Sequence, residues 1–114
     1  MRTENPGSVS HQKLLSALGL CRKAGKLICG TPMICDALRS AKKPYLVIMA
    51  SDNSENTQKK LFDKCSFYGV ELIRVELDGN SLSGAIGKSG RISAVAVTDE
   101  NLCRMIRGAM KSET

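Results

Sequence analysis

The segment Lys26-Leu-Ile-Cys-Gly-Thr-Pro32 marks a point where a short strand gives way to a helix. Its apolar residues predict a strand that Gly30 ends. Thr31 and Pro32 then suit the N-cap and the first helical position. The N-terminus of such a helix presents unpaired backbone N–H groups and the positive end of its dipole. The segment therefore predicts an anion-binding site at the start of the second helix.

Positive charge is concentrated in the same half of the chain. The formal net charge is +6, and residues 1–50 hold eight Lys or Arg against two acidic residues. Arg22, Lys23 and Lys26 stand just upstream of the predicted helix start. Excess cation on one surface is an electrostatic footprint for polyanions, although charge alone fits a solubilising surface equally well.

Composition restricts the class of protein. A chain of 114 residues is long enough for one domain, and its four aromatic residues (two Phe, two Tyr) argue against a base-stacking platform. No apolar run approaches the roughly 20 residues of a membrane span, so we expect a cytoplasmic protein. The five cysteines form no C-x-x-C pair, which favours buried, reduced thiols over disulfides or a zinc site.

The pattern of apolar residues predicts five helices and about four strands. Residues 1–9 are expected to form a flexible leader, followed by a helix from Ser10 to about Lys23. A second helix is expected to end near Lys42-Lys43, and a third places Phe62 inward. Ser81 is expected to cap a short helix. Continuous apolar strands at 45–50 and 92–97 alternate with these helices, which predicts a mostly parallel sheet covered on both faces.

A second candidate segment is glycine-rich and basic. Residues 82–92 carry Lys88 and Arg91 among three glycines and contain no acidic residue. Glycines allow close backbone approach, and the two cations are suited to grip phosphates, although a packing hinge fits the glycines as well. Leu82 occupies the position where a nucleotide-binding P-loop needs its first glycine, which excludes that motif. We expect both candidate segments to emerge at one end of the sheet and form a single basic surface.

Catalytic groups are scarce in this sequence. His11 is the only histidine, so any nucleophile–histidine pair must use it. The acidic pairs Asp52/Glu55 and Asp99-Glu100 stand at predicted helix starts, where the helix dipole explains them. We therefore expect no catalytic residue, no metal site, no cofactor and no small-molecule substrate.

Four motifs in order resemble a known family. They are Lys-Leu-Ile-Cys-Gly-Thr at 26–31, Tyr-Leu-Val-Ile-Met-Ala-Ser-Asp at 45–52, Leu-Ser-Gly-Ala-Ile-Gly-Lys at 82–88 and Ala-Val-Ala-Val-Thr-Asp at 94–99. Over residues 12–107 the chain resembles the kink-turn-binding ribosomal-protein superfamily of L7Ae and L30e, and most of all its small bacterial YlxQ-type members. The resemblance implies a three-layer α/β/α sandwich around a four-stranded mixed sheet. It makes residues 10–111 a single RNA-binding domain.

The resemblance also implies which residues meet RNA. Lys26, Gly30 and Thr31 match the family's basic-x-x-x-Gly-Thr pattern and inherit the approach to a bent RNA backbone. Pro32 and Met33 replace a polar pair that reads tandem G·A pairs in strong binders, and Asp36 replaces a lysine. Pro lacks an N–H and Met accepts hydrogen bonds weakly, so base readout is expected to be weaker.

The second loop also departs from the family pattern. Lys88, Ser89, Gly90 and Arg91 replace residues that are apolar in archaeal members, leaving Ile92 to cover a base. Lys23, Lys26, Lys88 and Arg91 are expected to hold phosphates. More charge and less apolar surface predict binding that is salt-sensitive and less sequence-specific.

Two functions are consistent with these features. The first is a non-catalytic protein that binds structured or ribosomal RNA, with possible association with the ribosome. The alternative is a protein-interaction module of the same fold in which RNA readout is weakened or lost. The Pro32–Met33 pair favours the alternative, and the charge asymmetry favours RNA binding.

Overall fold

The computed structural model describes residues 6–111, which form five helices and four strands. The elements in chain order are α1 (Pro6–Lys23), β1 (Leu27–Cys29), α2 (Thr31–Arg39), β2 (Leu46–Met49), α3 (Glu55–Tyr68), β3 (Glu71–Arg74), α4 (Gly79–Ala85), β4 (Ala94–Val97) and α5 (Glu100–Lys111).

The sheet has the order β1-β4-β2-β3 and is mixed. Strand β2 pairs parallel with β3, whereas β4 runs antiparallel to both β1 and β2. The expectation of a mostly parallel sheet was therefore wrong, and the mixed sheet implied by the family resemblance is confirmed. The alternation of strands and helices correctly predicted one direction for β1, β2 and β3. It did not reveal that β4 lies between β1 and β2 and runs in the opposite direction.

Helices cover both faces of the sheet in three layers. Strands β2 and β4 are buried along their whole length, as their continuous apolar sequences predict. On one face, side chains such as Leu46 and Ile48 pack against α1, α4 and α5. On the other face, Val47 and Met49 pack against α2 and α3.

Several element boundaries differ from the predicted ones. Helix α1 begins at Pro6, so residues 6–9 are helical and do not belong to a leader; residues 1–5 lie outside the described residues. Helix α2 ends at Arg39, before the lysine pair. Asp78, not Ser81, caps α4, because its side chain accepts a hydrogen bond from the Ser81 N–H. Phe62 is exposed, not inward.

Candidate nucleic-acid interface

The junction between β1 and α2 turns at a glycine. Gly30 has φ 91° and ψ 146°, a conformation in which side-chain-bearing residues are strained. Its N–H donates to the Ala94 carbonyl at 2.9 Å, and its own carbonyl accepts the first bond of the helix from Ile34 at 3.0 Å. Gly30 thus both ends the strand and serves as the N-cap, a role the sequence had given to Thr31.

The Thr31 hydroxyl does not cap the helix because it bonds elsewhere. Its Oγ1 lies 2.7 Å from Oγ of Ser93, which directly precedes β4. Within residues 6–111 no side chain caps α2, and no backbone carbonyl accepts from the N–H of Thr31 or Met33. Pro32 has no N–H to satisfy. Two donors at the positive end of the helix dipole therefore have no acceptor among the described residues, as an anion site requires.

The loop that precedes β4 is an exposed glycine turn. Gly87 and Gly90 have φ values of 73° and 82°, and a side chain at either position would meet no atom within 4 Å. Lys88 and Ser89 between them are also exposed. This bare loop leaves its backbone open to close approach by a ligand.

The two candidate segments meet at one end of the sheet, as predicted. They line a single open groove, whose walls are Cys29, Gly30, Thr31, Pro32, Lys88, Arg91, Ile92 and Ser93. We call this the helix-start groove. The Gly30–Ala94 and Thr31–Ser93 bonds join its two walls.

Arg91 is committed to contacts within the protein. Its Nη2 donates to Oδ1 of Asp52 at 3.0 Å and to Oδ1 of Asn53 at 2.7 Å. Asp52 also accepts from the Gly79 N–H at 3.0 Å. The hydrogen bond from Arg91, followed by that from Gly79, lowers the pKa of the Asp52 carboxyl. Arg91 thus holds its loop against the start of α4 and against the segment after β2.

The network around Arg91 contains residues that the sequence did not identify as part of the site. Asn53 is buried, and its side chain donates to the carbonyls of Ala50 and Ser93. Asp52 had been explained by the dipole of α3, but its carboxylate contacts α4 and Arg91 instead. Because Asp52 and Arg91 lie in separate loops, no local pattern in the sequence marks their pairing.

Two predicted RNA-binding residues lie outside the helix-start groove, and a third is mostly buried on its wall. Ile92 lines the groove but is only 8% exposed and packs in the core, so little of its side chain is left to cover a base. The carbonyl of Lys26 accepts a hydrogen bond from the Thr98 N–H at the start of β1. Lys26 therefore lies four residues, or about 13 Å, along the strand from Gly30. Lys23 lines a neighbouring groove between α1 and α4.

The two chain segments that form the helix-start groove carry cations and no acidic residue, and Asp52 reaches the groove wall from a third segment through its ion pair with Arg91. Residues 5–35 and 79–98 contain no Asp or Glu. In the described part of the chain, no carboxylate pairs with Arg22, Lys23 or Lys88, whereas Lys59 of α3 pairs with Asp63 and Arg107 of α5 pairs with Glu71. The chain segments that form the groove therefore carry net positive charge.

The cysteines behave as small core residues, with one exception. Cys21, Cys35, Cys65 and Cys103 are buried, and all five cysteines are free thiols. Cys29 is half-buried on the groove wall, where burial raises the pKa of its thiol against the opposing effect of Lys88 and Arg22. The described residues contain no cluster of His, Cys, Asp and Glu able to hold a metal, and no helix among them combines the length and apolarity of a membrane span.

Comparison with known proteins finds relatives over most of the chain. The model of the ribosomal protein L7Ae/L30e/S12e/Gadd45 family matches residues 12–106. The RNA-binding protein YlxQ of Bacillus subtilis (strain 168) is 37% identical over 89 residues, covering 78% of this chain and 86% of that protein. The RNA-binding protein YlxQ of Enterococcus faecium is 34% identical over 86 residues, with coverage of 75% and 82%. These matches confirm the predicted likeness to YlxQ-type proteins.

Solved structures share the fold. A protein of unknown function from Bacillus halodurans C superposes with a TM-score of 0.78 at 33% identity, covering 87% of this chain and 97% of that one. The Giardia lamblia 15.5kD RNA binding protein superposes with a TM-score of 0.73 over 90% of this chain and 86% of its own, at 17% identity. The second likeness extends to the fold alone.

Proposed function

Because this chain belongs to the ribosomal protein L7Ae/L30e/S12e/Gadd45 family, we propose that it is a non-catalytic protein that binds structured RNA of the kink-turn type. The observation that carries the proposal is the helix-start groove, in which two segments far apart in sequence meet around free backbone donors. Relatives named as RNA-binding proteins support it. We further propose that the protein acts in the cytoplasm and that its target is ribosomal RNA.

The groove is suited to a sharply bent backbone. One phosphate accepts from the N–H groups of Thr31 and Met33, where the dipole of α2 favours negative charge. Lys88 on the facing loop neutralises a second phosphate across the groove. A bend in the RNA brings two such phosphates close together, whereas a straight duplex keeps its phosphates evenly spaced. The protein then distinguishes bent RNA from a straight duplex by its shape.

Base readout has a smaller part in this proposal. Pro32 has no N–H, and the Met33 thioether accepts hydrogen bonds only weakly. Hydrogen bonds to base edges carry most sequence information in nucleic-acid recognition, while phosphate contacts set position. The protein should therefore prefer the kinked shape over the straight one and tolerate changes in the bases at the kink.

A titration of two RNAs tests this function. Fluorescence anisotropy is measured with a kink-turn RNA and with a straight duplex of equal length and base composition, over a series of salt concentrations. We expect tighter binding of the kinked RNA, with log K falling by about 0.7 to 0.9 per neutralised phosphate for each decade of salt. Equal affinity for both RNAs at every salt concentration would remove the kink-turn proposal.

One observation favours a second candidate, a protein-interaction module. Met33 is 60% exposed at the start of α2, where an apolar side chain contributes little to holding phosphate. In that case the groove contacts a protein partner, and the purified protein carries no nucleic acid. The ratio of absorbance at the nucleic-acid and protein maxima, before and after ribonuclease treatment, separates the two candidates.

A further inference from the structure

A second groove adjoins the helix-start groove across the loop before β4. It runs between the C-terminal half of α1 and the end of α4, and Arg22, Lys23 and Gly87 lie along it. Gly87 borders this groove while the next residue, Lys88, borders the first. The two grooves are therefore separated only by the exposed turn at 87–90.

The second groove is cationic. Arg22 and Lys23 are exposed, and within residues 6–111 neither pairs with a carboxylate. Arg22 and Lys88 both act electrostatically on the Cys29 thiol, so the charges of the two grooves lie in one local field. A polyanion that leaves the first groove over Lys88 meets further positive charge without crossing an acidic residue.

Small residues of both helices, Gly19, Gly84 and Ala85, contribute to the second groove beside the exposed Leu20. Gly19 approaches the carbonyl of Ala85 so closely that an added Cβ would lie 3.2 Å from that oxygen, which brings the two helices together. Gly84 faces open space. Among the described residues, none that borders the groove is aromatic. Single-stranded RNA is commonly held by stacking on aromatic rings, whereas duplex RNA is held through its phosphates and shape.

We infer that the α1–α4 groove is a second RNA-binding surface, which holds the phosphates of a duplex stem leaving the helix-start groove through Arg22 and Lys23. The inference rests on the proposed function, because the stem must leave a kink held in the first groove. The protein then contacts RNA beyond the kink, along one stem.

The test uses RNAs that share one kink and differ in the length of one stem. Each of the two stems is shortened in turn, and affinity is measured for the wild-type protein and for the double variant Arg22→Gln/Lys23→Gln. For one stem, we expect the longer RNA to bind the wild type more tightly, by roughly 25- to 60-fold at ~0.1 M salt for two phosphate contacts. The double variant should lose this gain, so that its affinity no longer depends on the length of that stem.

The chain supplies a matched control in Lys42-Lys43, another adjacent cationic pair. It lies just before β2, at the end of the sheet opposite the helix-start groove. Lys42→Gln/Lys43→Gln should retain the gain from the longer stem, and thermal melting verifies that both double variants are folded. If the wild type prefers the kink but gains nothing from either stem, or if the Arg22/Lys23 variant keeps the gain, the inference is wrong. If the wild type shows no preference for the kink, the proposed function fails instead.

Discussion

Arg91 and Asp52 form an ion pair in which Nη2 lies 3.0 Å from Oδ1, and this pair joins the loop before β4 to the segment after β2. Asp52 also accepts from the Gly79 N–H, so one carboxylate holds the loop and the start of α4 together. The side chain of Arg91 had been expected to hold phosphate. In the structure its Nε and Nη2 donate to Asp52 and Asn53, contacts that hold the wall carrying Lys88.

Substitutions at both ends of this pair distinguish a positioning role from phosphate binding. If Arg91 positions the loop, Arg91→Gln lowers RNA affinity but leaves the salt slope unchanged, because no phosphate contact is lost. Asp52→Asn should then lower affinity as well, even though it removes a negative charge near the RNA. Anisotropy titrations over a salt series measure both quantities.

The opposite pattern would show that Arg91 binds phosphate directly. In that case Arg91→Gln flattens the slope by about 0.7 to 0.9, and Asp52→Asn tightens binding by releasing the guanidinium. Arg104→Gln is the matched control, since Arg104 pairs with Glu100 in an exposed ion pair on α5. It should change neither affinity nor slope by a comparable amount.

Gly79 is predicted to be intolerant of any side chain. A Cβ at this position would overlap Cγ of Arg91 and lie 2.7 Å from the Ile92 carbonyl oxygen. Overpacking of this kind costs about 1 to 3 kcal/mol, so Gly79→Ala should lower the free energy of unfolding by that amount in urea denaturation.

Gly84 provides the control in the same helix. A Cβ there meets no atom within 4 Å, and alanine is favoured over glycine in helices by roughly 0.5 to 1 kcal/mol. Gly84→Ala should therefore leave stability unchanged or raise it slightly. Equal destabilisation by both substitutions would contradict the close packing of Arg91 over Gly79.

Cys29 offers a chemical probe of the helix-start groove. It is the half-buried thiol, while the other four are buried, so iodoacetamide should modify it first in the native protein. Its raised pKa means that the reactive thiolate is scarce at neutral pH, and the rate should climb as pH rises past the ordinary value of about 8.5. Peptide mass spectrometry follows the reaction at each cysteine.

Bound RNA should slow alkylation of Cys29 several-fold, because RNA in the groove covers this wall. Cys65, whose pKa burial raises to about 11, should stay unmodified with or without RNA. Full saturation with RNA and no protection of Cys29 would mean that the RNA lies elsewhere on the protein.

Local signals in the sequence were sufficient for most of the fold. Strands β2 and β4 read directly as continuous apolar runs, and Gly69 ends α3 in the left-handed conformation that only glycine adopts cheaply. The two candidate segments meet because β4 runs antiparallel to β1, which places the residues after β1 beside those before β4. No local signal gave the direction of β4, because a run of apolar residues has no polarity, and only the family resemblance implied a mixed sheet.

Long-range pairing accounts for what the sequence did not reveal at the site. Thr31 before Pro32 has the local features of an N-cap, but its hydroxyl is hydrogen-bonded to Ser93, 62 residues further on. Arg91 likewise pairs with a carboxylate 39 residues away. Thr31 stands at the first position of α2 and Arg91 lies in a loop, and only the folded chain determines which partner each polar side chain meets.

The most direct test of the helix-start groove compares Lys88, in the loop before β4, with Lys26, which directly precedes β1. Lys88→Gln and Lys26→Gln are titrated with the same kink-turn RNA over a salt series. We predict that Lys88→Gln reduces the salt slope by about 0.7 to 0.9 and affinity roughly five- to eightfold at ~0.1 M salt, the effect of one lost phosphate contact. Lys26→Gln, at the far end of β1, should change both far less. A full loss with Lys26→Gln and none with Lys88→Gln would contradict the account.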